Sequence, residues 1–123
     1  MKHSIRIDTQ PRFLSEYHDE APARFAFAYT ITIYNDGAED VQLLTRHWII
    51  TDGDEKIEEV QGDGVIGQQP WIAPGEHFEY TSGAVIATPI GTMQGEYIFQ
   101  NRQGERFEVA IPCFLLAKPG LVH

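Results

Sequence analysis

Arg46 to Gly83, RHWIITDGDEKIEEVQGDGVIGQQPWIAPGEHFEYTSG, is the stretch whose reading decides the fold. It carries both tryptophans of the chain, a Gly-x-Gly-x-x-Gly run and a Pro-Gly-Glu turn, all within short alternating segments. A glycine run that opens a dinucleotide site leads straight into a helix, whose N-terminal N–H groups hold the phosphate. Here Gly62-Asp63-Gly64-Val65-Ile66-Gly67 leads into Gln68-Gln69-Pro70, and Pro74-Gly75 follows. Proline at those places stops a helix and drives the preceding residue into extended geometry. The glycines therefore belong to a loop between strands.

Outward from this stretch, period-two alternation continues in both directions and helical periodicity is nearly absent. Upstream, Phe25, Phe27, Tyr29, Ile31 and Ile33 alternate with Ala26, Ala28, Thr30 and Thr32, and Asn35-Asp36-Gly37 supplies the turn. Val41 to Asp52 is denser in apolar residues and suits a central strand, with Trp48 as a core anchor; Asp52-Gly53 turns it back into Lys56 to Gln61. Downstream, Pro74-Gly75 precedes an alternation through Phe78 and Tyr80. Met93 to Phe99 then pairs with Arg106 to Ile111 across Asn101-Arg102-Gln103-Gly104, with Phe107, Val109 and Ile111 inward. At the N-terminus Ser4-Ile5-Arg6-Ile7-Asp8 reads as a short strand docked on a sheet edge. About seven strands in a chain of this size predict one all-β domain, an antiparallel β-sandwich over residues 1–123, with residues 116–123 fraying around Pro119 and Gly120.

The chain is 123 residues long, enough for one core without metal or disulfide staples. Its single cysteine, Cys113, rules out an intrachain disulfide and fits a reducing cytosol. Flanked by Ile111, Pro112, Phe114 and Leu115, it reads as a core or edge thiol rather than a nucleophile. No apolar run is long enough to span a bilayer, and Met1 to Asp8 has no apolar signal-peptide region, so the expected compartment is the cytoplasm. The net charge of −9 disfavours general nucleic-acid binding. From Asp36 to Gly64 nine acids face two bases, a net −7 on one quarter of the chain. That quarter reads as a solvated face; its sharper alternative is a surface for a basic partner or for divalent cations.

Several motifs together resemble the ApaG family: Phe27 to Ile33, Arg46 to Asp52, Gly62 to Pro70, Pro74-Gly75-Glu76, Tyr80 to Gly83 and Thr88 to Gly95. The resemblance runs in one order from about Ile5 to Phe114. It implies a small bacterial protein with a fibronectin type III-like or immunoglobulin-like sandwich, associated with cobalt tolerance and magnesium efflux. Bacterial members are often encoded beside a diadenosine tetraphosphatase and a ribosomal RNA methyltransferase. In eukaryotic F-box and polymerase-interacting proteins the same domain is thought to mediate protein contacts. The family supplies no catalytic residues. Its glycine run has been suggested as a pyrophosphate-binding loop, which maps onto Gly62, Gly64 and Gly67.

Successive backbone N–H groups can form an anion nest without a helix. Against that reading, Glu58, Glu59 and Asp63 repel a polyphosphate, and no lysine or arginine lies between Lys56 and Arg102. A compensating cation must come from folding, with Arg46 the candidate, or as bound magnesium. Asp52-Gly53-Asp54-Glu55 begins like a calcium loop, but Lys56 and Ile57 stand where that loop needs an acid and a glycine. No HxxxH, HExxH, CxxC or nucleophile elbow occurs, so neither a metal site, a cofactor nor an enzyme is expected. His47 reads as a strand histidine with a hydrogen-bond partner.

The reading is thus a non-enzymatic module whose loops or edge strand contact an unknown protein partner, as a monomer or a weak edge-strand dimer. Within the loop from Gln61 to Trp71, the apolar residues Val65, Ile66, Pro70 and Trp71 are the expected contacts. The alternatives are a regulator holding a pyrophosphate or dinucleoside polyphosphate on Gly62, Gly64, Gly67 and Arg46, and divalent-cation handling by the acidic quarter.

Overall fold

The computed structural model describes residues 4–15 and 24–120. The described chain forms eight strands: β1 (Ile5–Phe13), β2 (Phe25–Asn35), β3 (Val41–Asp52), β4 (Ile57–Asp63), β5 (Trp71–Ile72), β6 (His77–Ile86), β7 (Ile90–Gln100) and β8 (Arg106–Ala117). All pairings are antiparallel. One sheet runs β1-β2-β6; the other runs β4-β3-β7-β8, with β5 paired to β3. The alternating strands bury one face each, and the two faces close a common core around Phe27, Ile31, Leu43, Trp48, Tyr97 and Phe99. The antiparallel sandwich expected from the alternation is the fold. The strand beyond the expected seven is β5, a two-residue piece too short to show a period.

Other departures from the sequence reading have local causes. The last strand does not stop at Ile111. It passes a bulge opposite Met93–Gly95 and continues to Ala117, with Leu116 fully buried and the Lys118 N–H bonded to the Pro89 carbonyl at 2.9 Å. Residues 116–118 are therefore anchored rather than frayed, 119–120 form an exposed turn, and 121–123 lie outside the described residues. The bulge inserts its extra residue near Pro112, which an unbroken ladder would not accommodate. Cys113 is exposed on this edge strand, the edge thiol of the two readings.

β1 docks on β2 as expected, with Ile5, Ile7 and Phe13 packed on the core. It runs further than the alternation showed, through Pro11, which an edge strand tolerates because its N–H side faces outward.

The bulge that shapes the site lies in β3. Register against β7 shifts between Leu43 and Thr45, so Leu44 is an extra residue. Side-chain parity flips there. Val41 and Leu43 point inward before the bulge; Trp48 and Ile50 do so after it. Arg46 shares their parity and lies on the inner face, while His47 is carried to the outer face.

Candidate functional site

Along β3, β4 and β5 form one interrupted edge. β4 pairs with Thr45–Thr51 and β5 with Val41–Gln42, and the glycine loop is the excursion between them. The bulged residue is its anchor. The Leu44 carbonyl accepts the Gly64 N–H at 2.7 Å and the Gln69 side-chain amide at 2.8 Å. Val65 and Gln68 exchange two backbone bonds of 2.9 Å, closing a two-residue turn on Ile66 and Gly67. Both turn residues have positive φ, 43° and 77°. A Cβ on Gly64, itself at φ 64°, would stand 2.2 Å from the Gln68 carbonyl oxygen, so glycine is required there.

Ile66 is strained: a β-branched residue in left-handed geometry, with its side chain 54% exposed. Ile66→Asn is expected to raise stability by about 1 kcal/mol, since asparagine tolerates that conformation and little burial is lost. Urea melts of the two proteins check it, and a lower midpoint for the variant would refute the strain argument.

The expected contact residues separate. Val65 is fully buried and belongs to the core, which corrects its reading as a surface contact. Its backbone is held by the turn, and the turn aims its side chain inward, something no periodicity could show. Ile66 is exposed at the tip. The Pro70 carbonyl accepts the Leu43 N–H at 3.1 Å. Trp71 is partly exposed, and the Arg102 guanidinium stacks 3.7 Å above its ring while bonding Asp40 at 3.1 Å.

Arg46 does reach the glycine loop. Its Nη1 donates to the Asp63 carbonyl at 3.1 Å and the Gly64 carbonyl at 2.9 Å. A Cβ on Gly62 would lie 2.8 Å from that nitrogen, so Gly62 is the space in which the guanidinium lies. Gly62, Gly64 and Arg46 thus come together, but the loop turns carbonyls toward the cation, while the Gly64, Val65 and Gln68 amides serve the turn. Gly67 sits outside at the tip, with nothing within 4 Å of its would-be Cβ.

Two concavities flank this arrangement. A groove of about 430 Å³ lies on the outer face beside Gly62, lined by Thr45, His47, Gln61, Asp63, Glu96 and Ile98. A smaller cavity of about 160 Å³ opens between the loop and β6, lined by Tyr29, Arg46, Trp48, Val65, Ile66, Tyr80 and Ser82. Behind it stand buried phenols. The Tyr80 and Tyr97 hydroxyls are 2.5 Å apart, and burial pushes both far up, so they stay neutral. Burial also raises Tyr29, with Ser82 beside it pulling the other way.

In the outer groove His47 bridges two strands, Nε2 to Glu59 at 2.8 Å and Nδ1 to Glu96. Hydrogen bonds donated by its ring to Glu59 and then Glu96 hold its pKa above the ordinary 6.5. A raised folded-state pKa adds stability that is complete below the unfolded value and lost as pH rises through the folded one. His47 is therefore expected to titrate above pH 6.5 by NMR, and the melting temperature should fall slightly across that window in the native chain but not in His47→Gln. An ordinary midpoint would refute the bridge.

Part of the acidic quarter is locally engaged. Asp36 pairs with Arg6 at 2.9 Å, Asp40 with Arg102, and Glu59 with His47. Asp52 accepts the Asp54 and Lys56 amides at 2.9 and 3.0 Å, which makes the would-be calcium loop a hairpin turn. Among the described residues no three His, Cys, Asp or Glu side chains are grouped to hold a metal ion, and no helix is long and apolar enough to cross a membrane.

Comparison with known proteins adds the lineage. Residues 15–101 match the model of the ApaG domain. The protein ApaG of Thiobacillus denitrificans is 49% identical over 122 residues, covering 99% of this chain and 96% of that relative. That of Pseudomonas aeruginosa is 50% identical over 122 residues, covering 99% and 97%. A crystal structure described as the putative ApaA protein from Bordetella pertussis superposes with a TM-score of 0.93 at 49% identity, covering 96% of each chain. A protein from Archaeoglobus fulgidus, TM-score 0.59 at 6% identity, shares the fold alone.

Proposed function

The chain belongs to the ApaG domain family, and from that premise we propose that it is a non-enzymatic interaction module of the cytoplasm, whose open side takes an extended segment of a partner protein. One observation carries the reading: the free edge of β6. Open sandwiches protect their edges with charge or proline. β1 has Arg6, Asp8, Pro11 and Arg12; β4 has Glu58, Glu59 and Asp63; β8 has Arg106, Glu108 and Pro112. From Tyr80 to Ile86, β6 has neither charge nor proline, and among the described residues only β2 pairs with it.

The apolar surface near this edge supports the same reading. Val85 is 57% and Ile57 65% exposed, and both line a cleft of about 260 Å³ between β6 and β4 that Asp52, Lys56 and Glu58 also line. Ile66, 54% exposed, lines the separate 160 Å³ cavity beside Tyr80 and Ser82. An added strand would gain main-chain hydrogen bonds from β6 and cover these side chains. A second copy is the weaker occupant, because two chains of −9 repel each other. Any link to cobalt tolerance or magnesium efflux would run through the partner.

The polyphosphate reading has less support, since the loop faces its cation with carbonyls. Cation handling has less still, since among the described residues no three His, Cys, Asp or Glu side chains are grouped to hold an ion.

The test is the double variant Thr81→Lys, Val85→Lys, which charges the edge without touching the core. The expected result is a folded protein that no longer retains the partner captured by the native chain, whose binding protects the Thr81–Val85 amides from hydrogen exchange. Undiminished capture by the variant would defeat the proposal.

A further inference from the structure

The mouth of the sandwich holds a half-buried cation with unused donors. Arg46 is bonded through Nη1 alone, to the two loop carbonyls, and among the described residues no carboxylate pairs with it. Arginine carries five N–H donors in a planar fork that matches a carboxylate bidentately. Among the described residues Nε and Nη2 therefore have no hydrogen-bond partner, and Arg46 lines the 160 Å³ cavity that Ser82 and Tyr29 also line. In a chain where Arg6 and Arg102 each have an aspartate partner, this arginine does not.

We propose that Arg46, with the Ser82 and Tyr29 hydroxyls, forms a subsite for a single carboxylate, presented by an aspartate or glutamate side chain of the segment that docks on β6. The inference rests on the interaction reading above and gives its partner a chemistry. Ser82 lies on the inner face of β6, so an inward side chain of a strand added there falls over the same mouth. This cavity is smaller than the roughly 300–1,000 Å³ of pockets that take a whole dinucleotide, and the 430 Å³ groove that Arg46 also lines carries Asp63 and Glu96, which repel one. One guanidinium matches one negative charge. A polyphosphate would bring several, in a region already carrying Glu58, Glu59 and Asp63. Ile66, at the rim, would cover the ion pair and keep water from screening it.

The test uses sodium acetate as the bare carboxylate, acetamide as its neutral counterpart, and inorganic phosphate and pyrophosphate as competitors, all titrated at constant ionic strength. The expected result is a saturable shift of the Arg46 Nε–H and the Ser82 amide with acetate and none with acetamide. Arg46→Gln should abolish it, and Ser82→Ala, which leaves the loop carbonyls their donor, should weaken it about tenfold. No acetate response at these groups overturns the subsite, as does tighter binding of phosphate or pyrophosphate there. The charged-edge variant Thr81→Lys, Val85→Lys separates the two readings. Partner capture lost in that variant, together with no acetate response in the native chain, leaves the docking edge standing and removes the subsite.

Discussion

Trp48→Ala is expected to cost about 3–5 kcal/mol, a large share of the roughly 5–15 kcal/mol that holds a domain of this kind together. Trp48 is 2% exposed at the centre of the core. Its ring meets Tyr29, Phe114 and Tyr97 edge-on, at centroid distances of 5.3, 5.9 and 6.2 Å. Alanine would leave a void between the sheets, and three fixed aromatic neighbours limit collapse into the space. Trp71→Ala is the contrast. That ring is partly exposed and held by one arginine, a contact worth about 0.5–1 kcal/mol at such sites. Urea denaturation followed by circular dichroism separates them. Equal midpoints for the two variants would mean that Trp48 does not anchor the core.

That contrast also shows how far the sequence could be read. Trp48 was legible as a core anchor because the dense strand around it has one consistent meaning, burial. The sandwich was legible for the same reason: each long strand alternates, and alternation fixes which face is inside. What stayed hidden depends on single extra residues. Leu44 flips the parity of β3, so Arg46 lies inward and His47 outward, and nothing in the residue types announces a bulge. Val65 and Ile66 are both apolar neighbours in a glycine-rich loop, yet the turn buries one and exposes the other. The lack of charge along Tyr80–Ile86 is plain in the sequence, but it has meaning only because the topology makes β6 an edge.

Gly95→Ala is expected to be at least as damaging as any side-chain truncation, although it adds only one methyl group. Gly95 lies opposite Trp48 in β3 and Ile111 in β8, in the middle of the larger sheet and beside its bulge. A Cβ there would fall 1.9 Å from the His47 carbonyl oxygen and 2.9 Å from its carbon. No rotamer relieves such a collision, because the obstacle is backbone. β3 and β7 would have to separate, breaking ladder bonds and moving both Trp48 and the strand that carries Arg46. Ordinary overpacking costs about 1–3 kcal/mol, and a clash with central backbone belongs at or above the top of that range. Gly83→Ala serves as the control, since its Cβ would meet only the Phe27 carbonyl oxygen at 3.3 Å, a distance a small shift relieves. Thermal melts should show a Gly95→Ala protein largely unfolded or melting far below native, with Gly83→Ala close to native. A native-like melt for Gly95→Ala would mean that β3 and β7 do not approach each other this closely at the bulge.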